Sequence, residues 1–139
     1  MGRKNLNTME EAFSYFIQYH LKRNGIEVYK YKELFLSSHL KLIIAKGTWI
    51  TTGETENDFD GITDGFLYKG TPYFAILLND KLKKEGFINA LTHELIHFVS
   101  MESASHYFSE NKNVEELYAY RFGHILSKIF NNVSFKDSE

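Results

Sequence analysis

The sequence predicts an α+β fold, with helices segregated from a small antiparallel or mixed sheet. Three observations carry this. The chain has 139 residues, one domain's length. Apolar residues recur at helical spacing near the start and again after about residue 82. Between those stretches lie β-branched and aromatic runs broken by glycine-containing turns.

The elements follow in order. Thr8-Met9-Glu10-Glu11 is a capping-box pattern, and Phe13, Phe16, Ile17, His20 and Leu21 recur behind it. A first helix is therefore expected at about residues 8–24, stopped by Asn24-Gly25. Ile26 to Tyr31 alternates as a strand does. Lys32 to His39 is ambiguous, with a short helix the one reading it offers. Leu40 to Ile50 is β-rich, with Gly47 expected at a bend or bulge. Thr51 to Asp64 is polar and acidic and reads as loop. Phe66 to Lys69 and Tyr73 to Leu78 form a hairpin around Gly70-Thr71-Pro72, completing a sheet region at about 26–79. A second helix runs from about Leu82 to Met101, where Phe87, Ile88, Leu91, Leu95, Phe98 and Val99 recur at three and four. Ser103 to Lys112 reads as loop. A last helix is expected at about 114–130, followed by a polar tail. All of this forms one domain, residues 1–139.

Composition narrows the function. Hydrophobic residues make up 43% and charged residues 24%, so the chain has the means to bury a core. A net charge of −2 argues against broad attraction to nucleic acid or anionic membrane. Cysteine is absent, which removes disulfides, thiolate nucleophiles and Cys-type zinc sites, and suits a reducing compartment. No apolar run has signal-peptide or membrane-spanning length, so a soluble cytoplasmic protein is expected. The 12 Phe and 9 Tyr imply a core of large rings. Glu56 to Gly61 begins like an EF-hand loop, but Leu67 stands where a bidentate Glu is needed, so a solvated loop is expected instead. Lys81 to Lys84 reads as the exposed start of a helix.

The chemistry concentrates in His93-Glu94-Leu95-Ile96-His97, an HExxH motif. Histidines at i and i+4 share one helix face, and their imidazoles can reach one tetrahedral zinc. Glu94 is placed to act as general base on a water that zinc activates. A third ligand is required. The extended metzincin pattern is excluded, because Ser100 and Ser103 replace its Gly and His. A glutamate on the last helix is the other solution. Glu116 shares a stripe with Ala119, Gly123 and Leu126, whose small residues would permit close helix approach. That favours Glu116 over Glu115, although Glu116 could instead cap the helix for Asn113. His106, nine residues past His97, is the rival ligand. His106, Tyr107, Tyr118, Tyr120 and His124 are all candidate oxyanion donors.

The run GITDGFLYKGTPYFAILLNDKLKKEGFINALTHELIHFVSM, followed by VEELYAYRFGHIL, resembles the ImmA/IrrE family of zinc metallopeptidases. The likeness spans roughly Gly61 to Leu126, about half the chain. Asn79 matches the Asn near the end of the family's strand, and Glu116 to Gly123 matches its E-x-x-A-x-x-F-A helix. Ile96 stands where the family commonly has Gly, Tyr120 where it has Asn, and Gly123 where it has the second Ala. The resemblance implies a zincin-like fold, with His93, His97 and Glu116 as ligands of one zinc per chain and Glu94 as base. It also implies site-specific cleavage of a helix-turn-helix repressor, in a protein of phage or mobile-element type. An extended substrate is expected to add as a strand beside Tyr73 to Leu78. The function expected is thus an intracellular zinc endopeptidase acting on a regulatory protein. The alternative is a non-catalytic module on the same fold that sequesters such a partner.

Overall fold

The computed structural model describes residues 2–52, 60–107, 121, 123–125 and 129. Its elements are α1 (Gly2–Tyr15), a π-helical turn (Phe16–His20), α2 (Leu21–Arg23), β1 (Ile26–Ser37), β2 (Leu42–Thr51), β3 (Gly61–Tyr68), β4 (Thr71–Asn79) and α3 (Lys84–Tyr107). The four strands form one mixed sheet in the order β1-β2-β4-β3. β1 pairs antiparallel with β2, β2 parallel with β4, and β4 antiparallel with β3. The expected α+β class is borne out.

Alternation explains the layering. In β2, Ile43 and Ala45 join one core, while Leu42 and Ile44 join another. In β4, Tyr73, Ala75 and Leu77 join the first core, and Ile76 and Leu78 the second. Both central strands are therefore buried on both faces, and their sequences are continuous apolar runs. α1 and the π turn cover one face with Met9, Ala12, Phe13, Phe16 and Ile17, and Leu21 of α2 follows them. α3 covers the other with Phe87, Ala90, Leu91, Leu95, Phe98 and Val99. Ile125 and Ile129 join that second core.

The first core is built of rings, as the composition implied. Phe13 meets Tyr31 edge-on at 4.9 Å, and Phe16 lies 4.8 Å from Phe66. The expected stop at Asn24-Gly25 also holds. Gly25 has φ +85, and its N–H donates to Lys22 O at 3.1 Å.

Several boundaries differ from the expectation, each for a local reason. The first helix begins at Gly2, so Thr8 sits inside it rather than at its start. Lys32 to Ser37 is strand, not helix, because it pairs with Leu42 to Lys46 of β2 on either side of a slip at Leu34. Gly47 is neither bend nor bulge. It pairs with Tyr31 and Asn79, and a Cβ there would come 2.8 Å from Leu77 Cδ1. The irregularities fall instead in β1, at Tyr29 and Leu34, where the pairing with β2 slips. The hairpin turn is Lys69-Gly70, both at positive φ (52 and 82), so Thr71 and Pro72 belong to β4.

Three further corrections bear on function. β3 starts at Gly61, which takes Gly61 to Asp64 out of the expected loop and into the sheet. α3 runs on to Tyr107, so Ser103 to Tyr107 is helix rather than loop. Tyr73 to Leu78 does not lie at an edge: β4 is flanked by β2 and β3, and no ladder is left there for a peptide. Lys81, Lys83 and Lys84 are exposed at the start of α3, as expected. Most of the expected last helix lies outside the described residues, where Arg121, Gly123 to Ile125 and Ile129 are helical. No helix among the described residues is long and apolar enough to cross a membrane.

Two measurements test this architecture. Leu77→Ala and Leu78→Ala empty opposite faces of β4, so each is expected to cost about 2–5 kcal/mol in chemical denaturation. A strand with one wet face would lose stability at only one of the two. Glu33 of β1 has a pKa raised above the ordinary carboxylate value, first by partial burial and second by repulsion from Glu10. A carboxyl that binds its proton more tightly when folded favours folding in acid and opposes it as pH rises through its folded pKa. Glu33→Gln is thus expected to raise Tm at about pH 7 and leave it unchanged at about pH 3.

Candidate metal centre

α3 carries the HExxH motif and sorts its residues by face. Leu91, Leu95, Phe98 and Val99 pack onto the sheet. His93, Ile96, His97 and Ser100 are exposed on the outer side, at the three-and-four spacing of a single helix stripe. Glu94 turns toward β3 and is only 6% exposed, the sole buried charged residue among those described.

The imidazoles of His93 and His97 converge. Their Nε2 atoms stand 3.2 Å apart, with the rings edge-on at 80°. Two nitrogens bound tetrahedrally to one zinc at 2.0–2.1 Å would be separated by about 3.3 Å. The pair thus fits a shared metal with little movement. The same spacing also suits one N–H···N bond between two neutral rings.

Glu94 is held from the sheet. The Thr63 hydroxyl donates to Glu94 Oε1 and lies 3.3 Å from the Glu94 carbonyl oxygen. Gly61, two residues back on the same face of β3, makes room for that side chain. A Cβ on Gly61 would sit 2.8 Å from Glu94 Cγ and 3.0 Å from Oε2. Asp60, Gly61, Gly86, Asn89, Ala90, His93 and Glu94 line a cleft of about 480 Å³ between the start of β3 and the first half of α3. A histidine and a buried carboxylate therefore border one volume that a small group or a peptide segment can enter.

The remaining candidates divide. Continuous helix puts position 106 roughly 13 Å along the axis from position 97 and half a turn around it. Glu115 and Glu116 lie outside the described residues, as do Tyr118 and Tyr120. Among the described residues, no group of three or more His, Cys, Asp or Glu converges on one point. Gly123 and His124 are exposed, and among the described residues a Cβ on Gly123 would meet no atom within 4 Å. The segment instead docks through Ile125 and Ile129, and through Arg121, whose Nη2 lies 2.5 Å from Glu102 Oε1 near the end of α3.

Two features escaped the sequence reading. Thr63 and Gly61 were hidden in a stretch read as acidic loop. Alternation was their signal: Ile62 and Phe66 face the α1 core, so Gly61 and Thr63 must face α3. The second feature is a pair across the other face. His20 Nε2, in the π turn, stands 2.7 Å from Asp64 Oδ2, with the ring stacked on Phe16 at 5.3 Å. It ties the first helix to the strand that holds Glu94.

No protein-family model, curated protein or solved structure matches this chain.

Gly61→Ala tests the close fit of Glu94 against β3. Overpacking is expected to cost about 1–3 kcal/mol in denaturant melts, and shortening Glu94 to Ala in the same chain is expected to return part of it.

Proposed function

We propose that this chain is a zinc-dependent endopeptidase of the ImmA/IrrE type on a zincin-like fold. It would act in the cytoplasm on a regulatory protein of the helix-turn-helix repressor kind. One observation carries the proposal: His93 and His97 present Nε2 atoms 3.2 Å apart, beside a cleft that also holds the buried Glu94 carboxylate. A buried carboxylate next to two converging imidazoles is costly for stability alone, and it suits acid–base chemistry.

The roles follow from chemistry. His93 and His97 supply two ligands, and Glu116 the third, on its match to the family's glutamate helix. A zinc held there would supply Lewis acidity and bring the pKa of water near 7. Glu94 would accept the proton of the attacking water and return it to the leaving amine. β3 is the outermost strand on the cleft side among the described residues, so an extended substrate would add along it. The alternative, a sequestering module, draws support from Ile96, which is 54% exposed between the two histidines as a protein-contacting residue would be.

Elemental analysis of chelator-free protein tests the site. About one zinc per chain is expected, lost in His97→Ala and Glu116→Ala and kept in Glu115→Ala. Zinc loss in Glu115→Ala alone would move the third ligand by one residue. Glu94→Gln is expected to keep zinc and abolish cleavage of the regulatory substrate. Full biological effect from that variant would establish the sequestering module instead.

A further inference from the structure

Resting on the peptidase reading above, we propose that Thr63 is a positioning residue for Glu94, and that Gly61 is the gap that lets the carboxylate lie against β3. A glutamate has three rotatable bonds, and a general base acts well only when held within a fraction of an ångström of its target. Glu94 is held on two sides. The Thr63 hydroxyl donates to Oε1, and the bare Cα of Gly61 receives Cγ and Oε2. Thr63 suits the task, because a β-branched side chain on a paired strand is stiff at χ1. Its strand is fixed in turn. Thr63 pairs with Ile76 of the buried β4, and the neighbouring Asp64 is tied to His20.

The contact also fixes how the carboxylate is turned. The Thr63 hydroxyl gives its one proton to Oε1, which keeps a lone pair for a further donor. Oε2 lies beside Gly61, which lines the cleft together with His93. The carboxylate is thereby held in one orientation at the border of the cleft. A merely structural role would ask only that a buried carboxylate find some donor. A positioning role requires this donor, from this strand.

The test uses the full chain loaded with zinc and acetohydroxamate as the probe, read by calorimetry. A hydroxamate chelates zinc and gives a hydrogen bond to an adjacent carboxylate, so its affinity reports where that carboxylate sits. Thr63→Val is expected to bind zinc as the unmodified chain does, yet to bind the probe about tenfold more weakly or worse, approaching Glu94→Gln. Thr63→Ser is expected to recover affinity to within about threefold. Should Thr63→Val fail to fold, Gly61→Ala displaces the same carboxylate from the other side and is expected to weaken the probe equally. Unchanged probe affinity in Thr63→Val, beside a weakened Glu94→Gln, overturns the positioning role and leaves the peptidase reading standing. Absence of zinc binding by the unmodified chain, or a Glu94→Gln that binds the probe normally, overturns the peptidase reading, and the positioning role falls with it.

Discussion

Burial of both faces of β2 and β4 is the constraint on which the rest of this structure depends. Leu42 to Ala45 and Ala75 to Leu78 send alternate side chains to opposite sides, and none of these is left in water. Sheet faces so apolar must both be covered, and roughly 25 cal/mol per Å² of apolar area favours doing so. α1 with the π turn covers one face, and α3 with Ile125 and Ile129 covers the other. Once Leu91, Leu95, Phe98 and Val99 are spent on that contact, the rotation of α3 is fixed. His93 and His97 must then face outward, and Glu94 must face β3.

The polar site thus inherits its geometry from apolar packing. Glu94 directly precedes the buried Leu95 and follows the buried Ala90 by one turn, so the carboxylate is drawn into the rim of the core. A buried carboxylate needs donors, and β3 provides Thr63 at the register where the two elements meet. The same strand uses its other face for Asp64, which reaches His20. Adjacent residues on one strand therefore serve the two helical layers, and β3 links them electrostatically as well as through the ladder.

What the sequence made legible is what periodicity encodes. The stripe of Phe13, Phe16, Ile17 and Leu21, the stop at Asn24-Gly25 and the helix carrying HExxH all follow from local spacing. The Lys69-Gly70 hairpin was displaced by only a residue or so. Pairing was less legible. β4 reads as an edge or a centre equally well until its partners are known, because a continuous apolar run records burial and not neighbours. The motif placed His93, Glu94 and His97 on one helix. It did not reveal that Glu94 is gripped from β3, because Gly61 to Asp64 carries too few apolar residues to stand out from the acidic stretch before it. The choice between Glu115 and Glu116 rests on residues outside those described, apart from Gly123, whose Cβ position meets no described atom within 4 Å.

The slips at Tyr29 and Leu34 matter beyond the shape of β1. This strand is twelve residues long and, among the described residues, ends the sheet on its side, where a strand presents a row of backbone groups to another chain. A straight ladder of that length, bearing the exposed rings of Tyr29 and Tyr31, would template intermolecular β-pairing. The extra residue at each slip breaks the rim into short pieces out of phase with one another, and Lys30 and Lys32 set positive charge along it. The irregularity of β1 therefore leaves this rim without one long straight ladder on which another chain could pair.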